Sequence, residues 1–502
     1  MKTNRIVASL FATGMIATPL AYATNGMNLA GYGPVSESMG GVSMAYDNGV
    51  AAAINNPATL GFMASGTSRL DVALGDLMPD AASQGTKSSA TNFFMPAFGY
   101  VQKNDKLAYG VGMMGQGGMG TQYSDSSIFG TLIGTGGVVV DPGLENMSEV
   151  GVMRVMLPLA YNMTDNFTIG GSIDYVSAGM DVQWLMDGAH FMDSAGGSFT
   201  FAQASGDLVQ TIGMAMTPAA SMCGAGAACI NRVDYGYFDF NKSGTFAQAA
   251  KGTGYAHNVG FTFKANPKLT IGAVYHSKTR LGDMKTSSNG ATMSMQVGLT
   301  AAGQGAFGGA PATVEMPVTG QVTIKDFQWP ETYGFGLAYE VDDQWNVMAD
   351  FKRIKWAQVM KNFTMNFHAS DIQANATLTN FFGGKSMDFV YYQNWKDQEV
   401  IQLGASYKLD DSLTLRFGGN FANNPIPDDY VSPLFPAVMR NHYTAGAGYK
   451  FSKNDSVDGS FVYAPKVTVK NNWSMNGNIP GANNQEISLG GMGWQVMYSH
   501  LF

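Results

Sequence analysis

Charge is the first thing this sequence lacks. Asp, Glu, Lys and Arg make up 13% of its 502 residues, about half the share of an ordinary soluble domain. The formal net charge is −8, which excludes nucleic-acid binding through bulk positive charge. Long apolar runs are missing too. Past residue 23 no stretch reaches the roughly 18 residues that a spanning helix needs, which excludes a helical membrane protein. Cysteine is limited to Cys223 and Cys229. In an exported chain that spacing is expected to give a local disulfide that staples a loop, and with no histidine nearby in sequence it does not make a metal site. The six histidines, at 190, 257, 276, 368, 442 and 500, never sit in a serine-nucleophile context. Gly384, Lys385 and Ser386 resemble the end of a phosphate loop, but its first glycine would fall on Thr379. No catalytic residue, cofactor or metal is therefore expected, and the chain is not read as an enzyme.

What is present begins with an export signal. Lys2 and Arg5 precede an apolar run from Ile6 to Leu20 and a small-x-small cleavage pattern at Ala21, Tyr22 and Ala23, the order of a secretory leader over residues 1–23. Its removal takes away two cations and leaves a net charge of about −10. The next stretch, 24–61, is rich in Gly, Ala and Asn and ends on Asn55, Asn56 and Pro57, a stop for any helix begun near Ser36. It carries no strand period. It is expected to be a hatch of short helices and irregular chain.

From residue 62 to 502 the period is two. Tyr255, His257, Val259, Phe261 and Phe263 alternate with Ala256, Asn258, Gly260, Thr262 and Lys264. The pattern recurs with Ile401, Leu403, Ala405 and Tyr407 against Gln402, Gly404, Ser406 and Lys408, and with Leu413, Leu415 and Phe417 against Thr414, Arg416 and Gly418. The second face is small and polar, with few charges, which suggests an enclosed, wet or ligand-filled interior. With 63 glycines and 12% aromatics, this fits an all-β transmembrane antiparallel barrel better than a secreted solenoid. Tight turns at Asn104, Asn166, Asn266, Asp342, Asp410 and Ser452 alternate with long excursions, notably 186–253 and 286–320, so the short turns belong to the periplasmic rim. Counting alternating segments from Gly66 gives about 14 strands, within roughly two. The last strand places Trp494, Val496, Tyr498 and Phe502 on one face, an aromatic end resembling the signal read by the bacterial barrel-assembly machinery. The chain is accordingly placed in the bacterial outer membrane, in contact with its lipid, and as a monomer.

Four stretches carry a resemblance to a known family: Gly40, Gly41, Asp47 and the Asn56, Pro57, Ala58 triplet; YGVGMMGQGGMGTQY from Tyr109; DFQWPET from Asp326; and Gln398 to Ala464 with its NNPIPDD and SVDGSFVYA. They resemble the long-chain fatty acid outer-membrane transporters, the FadL family, which includes hydrocarbon channels. The resemblance implies a barrel of about 14 strands closed by the N-terminal hatch. It also implies capture of a fatty acid, alkane or aromatic compound among the outer loops and lateral release near a kink in the third strand. Gly115, Gly117, Gly118 and Gly120 are the kink candidates, since glycines weaken pairing inside a strand; Gly110, Gly112 and Gly115 also spell a dinucleotide motif, but no crossover helix follows. Methionines suit such a path because they repack around varied shapes, and the chain has 33. A carboxylate headgroup would ask for a cation, and parity nominates Arg440, Lys278 and Arg280 as inward, each able instead to pair with a lumen acid such as Asp174 or Asp350. The alternative function is a structural or adhesive barrel that binds surfaces through its loops.

Overall fold

The computed structural model describes residues 25–197, 201–218, 223–224, 226–242, 248–471 and 485–502. The leader expected over 1–23 lies outside the described residues. Long strands form a ring: β1 (Ser68–Ser83), β2 (Phe93–Asn104), β3 (Leu107–Tyr123), β4 (Asn146–Asn162), β5 (Phe167–Asp187), β6 (Ala250–Asn266) and β7 (Leu269–His276). They are followed by β8 (Thr332–Glu340), β9 (Trp345–Ile354), β10 (Gln398–Lys408), β11 (Leu413–Ala422), β12 (Asn441–Lys450), β13 (Asp455–Asn471) and β14 (Gln485–Leu501). Each pairs antiparallel with the next, and β14 pairs with β1 from Arg69↔Leu501 to Ser83↔Ile487, which closes the ring. Closure gives every strand of the wall a neighbour on both sides, the condition for crossing lipid with strands. No helix among the described residues is long and apolar enough to cross a membrane.

The alternation read from the sequence sets the two faces. Ile169, Ile173, Tyr255, Val259, Phe335, Leu403 and Phe461 point outward and are exposed, while Asp174, Asn258, Thr262, Asp350 and Gln402 point inward and are buried. The turns after β2, β4, β6, β8, β10 and β12 are tight and share a rim with Phe502, which pairs back to Ser68.

The outer excursions differ from the expectation of loops. Among the described residues the sheet holds 23 strands, more than the sequence count of about 14, because the excursions 186–253 and 286–320 and the stretch after Ile354 contain strands of their own, and short pairs form at Thr86–Lys87, Arg280–Leu281 and Met284–Lys285. Beyond Met180, β5 leaves β6 and pairs with Ile230–Phe240, which pairs in turn with Ala291–Leu299 and that with Thr313–Lys325. Asn362–Ala369, Ser386–Tyr392 and Ala202–Ser205 continue this arm. Cys223 and Cys229 are joined by a disulfide within it.

Residues 25–62 lie inside the ring. A helical turn at Pro34–Glu37 and two 3-10 segments at Gly49–Ala53 and Pro57–Phe62 are almost wholly buried. Asn56 starts the last of these, its side chain accepting from the Ala58 amide at 3.2 Å. The wall holds this segment by its backbone. Thr444 Oγ1 accepts from Gly40 N at 2.8 Å, Gln402 Nε2 donates to Ala30 O at 2.7 Å, Asn258 Nδ2 donates to Ala53 O at 3.1 Å, and Lys103 Nζ donates to Gly61 O at 2.7 Å. Two wall carboxylates serve as amide acceptors: Asp71 for Val50 N at 2.8 Å, and Asp350 for Ser43 N at 2.6 Å and Met44 N at 3.1 Å. The small inner rows therefore have a different cause from the wet interior expected. A Cβ on Gly272 would stand 1.9 Å from Met44 O, so at such positions the inserted backbone takes the space of the missing side chain.

Candidate functional site

The site is built around the first turn of the inserted segment, Asn25–Asn28, and the strand it touches. Pairing between β2 and β3 runs from Asn104↔Leu107 to Phe98↔Met113 and stops, although β2 extends back to Phe93 and β3 on to Tyr123. On its other side β3 stays paired with β4, with a register shift between Gly115 and Gly117 that leaves Gln116 as the extra residue. The edge of β3 that β2 abandons is taken by the turn: Gly118 N donates to Met27 O at 3.1 Å, and Asn28 forms an antiparallel bridge with Gly117. The approach is close. A Cβ on Gly117 would fall 2.0 Å from Met27 O, so only glycine fits.

Neighbours fix the turn. Trp329 is fully buried, donates from Nε1 to Asn28 Oδ1 at 2.6 Å, and meets Trp356 edge-on at 5.5 Å, which meets Trp395 at 5.2 Å. Tyr32 Oη donates to the Gln116 carbonyl at 2.8 Å. The DFQWPET stretch thus acts through Trp329 on the inserted segment.

Two cavities meet at this turn. The outer one is apolar and lined by Met27, Val182, Trp184, Phe327, Met360 and Phe435. Trp184 stands edge-on to Phe389 at 5.1 Å and to Tyr391 at 5.6 Å, which makes its wall a rigid aromatic cluster. The inner one is mixed, with Asn25, Asn28, Gln116, Arg154, His276 and Lys352 set among Leu29, Val274 and Ile354. Arg154 is bound: it pairs with Asp174 at 2.7 Å and donates from Nε to Gln116 Oε1 at 2.7 Å. Lys352 has a weaker hold, a 3.4 Å contact from Nζ to Gly41 O. It is an inward ammonium of this cavity, attracted by the neighbouring Asp350 carboxylate.

The cations nominated from the sequence lie elsewhere. Arg440, Lys278 and Arg280 are exposed and line neither cavity. For Lys278 and Arg280 the inward parity fails at a break after His276: Ser277 N binds His257 O, and Arg280 comes to stand opposite Tyr255 in the outward row. Of the acids offered as lumen partners, Asp174 pairs with Arg154 and Asp350 holds backbone amides. Gly40 and Gly41 form a left-handed turn against the wall, with φ of 71° and 90°, and the Asp47 carboxylate accepts from Gly49 N at 2.8 Å. Asn56 Nδ2 reaches Met44 O at 2.7 Å and Phe261 O at 3.2 Å, with Pro57 and Ala58 buried beneath it. Gly115, Gly117, Gly118 and Gly120 all fall in the unpaired half of β3. Sequence reasoning missed Arg154, Lys352, Trp356 and Trp395.

One buried acid belongs to the inserted segment. Glu37 accepts from Ser460 and Gln495 of the wall, yet burial outweighs these bonds and pushes its carboxyl up to about 7. Among the described residues no group of three or more His, Cys, Asp or Glu is placed to hold a metal.

Comparison with known proteins follows the same lines. Residues 13–492 match the family model described as outer membrane protein transport protein (OMPP1/FadL/TodX). The long-chain fatty acid transport protein of Escherichia coli K12 is 23% identical over 412 residues, 80% of this chain and 77% of that protein. An uncharacterized protein of Chlorobium limicola is 53% identical over 79 residues, but these span only 15% of this chain and 38% of that protein. Among solved structures, the toluene transporter TbuX of Ralstonia pickettii is 27% identical with a TM-score of 0.69, covering 95% of this chain and 99% of that one.

Proposed function

Since the chain belongs to the OMPP1/FadL/TodX family of outer membrane transport proteins, we propose that it is a passive channel for uptake of hydrophobic molecules, long-chain fatty acids or related hydrocarbons. The segment 24–61 acts as the hatch that closes the lumen. A substrate partitions into the outer apolar cavity, where each buried methylene contributes about 0.8 kcal/mol. It then passes the turn at Met27 and Asn28, and leaves sideways between β2 and β3 beside Gly115, Gly117, Gly118 and Gly120. Lys352 favours an anionic headgroup in the inner cavity, since a charge-assisted hydrogen bond there adds about 1.5 to 3 kcal/mol.

The observation that carries this reading is the unpaired edge of β3, closed by a hatch residue, Met27, that also lines the apolar cavity. Capture, gate and exit then share one turn. The test is uptake of a radiolabelled fatty acid by a transporter-deficient strain expressing the wild type or Gly117→Val. Valine must push Met27 off the β3 edge, so uptake should change while the heat-modifiable gel mobility of a folded barrel persists. Uptake identical to wild type would sink the lateral route, and no uptake by the wild type would sink the channel itself.

A further inference from the structure

The lipid-facing row of β6 changes character at its outer end. Phe263, Phe261, Val259, His257 and Tyr255 all point outward, and from Phe263 to Tyr255 the strand runs nine residues, the length a tilted strand needs to cross the bilayer core. Tyr255 meets Tyr175 of β5 edge-on at 6.1 Å, and Tyr275 of β7 meets Tyr333 of β8 at 5.2 Å. These rings form an aromatic belt at the outer interface. Beyond Tyr255 the same outward row continues as Thr253 and Lys251, both exposed. Lys251 therefore stands at the level of the outer-leaflet headgroups.

Three more cations join it. Arg280 is the cross-strand partner of Tyr255, and Lys285 is that of Lys251. Lys278, Arg280 and Lys285 are exposed, while Thr279, Leu281 and Met284 between them are buried, so all four charges share the outward face. Lys251 and Lys285 are like charges set directly opposite each other, with Cβ atoms about 5 Å apart, which costs stability unless an anion lies between them. Other cations of this rim are neutralised by the protein: Lys325 by Asp388 at 2.8 Å, Arg353 by Asp397 at 3.3 Å, and Lys355 by Asp397. Among the described residues no carboxylate forms an ion pair with Lys251, Lys278, Arg280 or Lys285. Acids do lie nearby. Asp283 accepts from the Asp326 amide and Asp326 from Gln328 Nε2, both at 3.1 Å, and Asp181, which Lys251 attracts, is 3% exposed and held by the Ala249 amide.

The chemistry of the patch defines its partner. Its charged groups only donate hydrogen bonds, so the partner is an anion. The patch continues directly into the aromatic belt, so the partner also has an apolar part seated in the bilayer. Lys251 and Lys285 stand four residues beyond Tyr255 and Arg280, roughly 13 Å along the strand, so a headgroup that reaches both levels carries more than one anionic group. We infer that Lys251, Lys285, Arg280 and Lys278 bind the phosphates of a phosphorylated glycolipid of the outer leaflet, its acyl chains packed on Tyr175 and Tyr255. The lipid braces the wall where β5, beyond Met180, leaves β6.

The test is native mass spectrometry of the detergent-solubilised full chain, titrated separately with bisphosphorylated lipid A, with lipid A stripped of its phosphates, and with phosphatidylglycerol. The wild type is expected to retain one bisphosphorylated lipid A, at least about tenfold more tightly than either of the others. Lys251→Gln combined with Lys285→Gln should weaken retention about 30-fold, from the usual contribution of two cations at a lipid surface. Lys87→Gln, which removes an exposed lysine elsewhere on the outer rim, should leave it unchanged. Heat-modifiable mobility would confirm that the variants are folded. No retention by the wild type, equal retention of phosphatidylglycerol or of the stripped lipid, wild-type retention by the double variant, or an equal loss in Lys87→Gln would overturn the assignment.

Discussion

Replacing Glu37 by glutamine should make the seating of the hatch independent of pH. In the folded chain this carboxyl is fully buried and pushed up to about 7, with burial as the main cause and the Ser460 and Gln495 donors opposing it; in the unfolded chain it titrates near 4.5. The sign follows from proton binding. Between those two values the seated form holds its proton and the unseated form does not, so seating loses stability as pH rises and regains it as pH falls. At 1.36 kcal/mol per pH unit the loss between pH 4.5 and 7 amounts to about 3 kcal/mol, or roughly 100-fold in the seating equilibrium. Below that window the contribution is fully present, and above it the loss is complete. Hydrogen exchange can read this out, because the amides of Glu37, Ser38 and Gly41 bond to Gly33, Pro34 and Ser36 inside the hatch. After correction for intrinsic exchange, their protection should fall by about two decades from pH 5 to pH 8 in the wild type, and stay level in Glu37→Gln. Level protection in the wild type, or the same fall in the variant, would refute the assignment to Glu37.

Three further perturbations bear on the same machinery. Asp350→Ala removes the acceptor for Ser43 N and Met44 N; two charge-assisted bonds at about 1.5 to 3 kcal/mol each should be lost, and planar-bilayer recordings should show more frequent small-ion openings. Trp329→Ala deletes both the bond to Asn28 and the contact with Trp356, a loss of about 3 to 5 kcal/mol that should raise protease sensitivity near Asn25 while the barrel stays folded. Lys352→Met should weaken binding of a fatty acid by roughly 10- to 100-fold and leave toluene binding unchanged in a tryptophan-fluorescence titration; an equal effect on both ligands would remove Lys352 from headgroup recognition.

The wall was legible because one of its faces meets lipid. β6 alternates buried and exposed from Ala250 to Phe263, and this is the periodicity visible between Tyr255 and Lys264. The outer arm carries the same period, since Ala291, Met293, Met295, Val297 and Leu299 alternate with Thr292, Ser294, Gln296 and Gly298; only the length of the excursion around it makes it read as loop. Arg154 was hidden because its inward neighbours Val152 and Met156 are as apolar as the outward Leu157 and Leu159, so no alternation frames it. Lys278 and Arg280 failed through register. Parity carries along an unbroken strand, and the break at Ser277 reverses it. The glycines of β3 were readable as a weak point, but the residue that fills it, Met27, lies far off in sequence and had no local mark.

The energetics of the hatch bear on how much of it must move. Lifting the whole segment would break its bonds to Thr444, Asn420, Gln402, Asp350, Asp71, Asn258, Lys103 and Asn162. Several of these are charge-assisted, and at 1 to 3 kcal/mol each their sum is on the order of 15 kcal/mol. Shifting the Asn25–Asn28 turn alone breaks Met27 to Gly118 and Asn28 to Trp329, about 2 kcal/mol at the usual net value. Burial of an alkyl chain of a dozen methylenes offers roughly 10 kcal/mol, enough for the second motion and short of the first. A ligand that drives its own passage is therefore expected to displace the turn and leave the rest of the hatch seated.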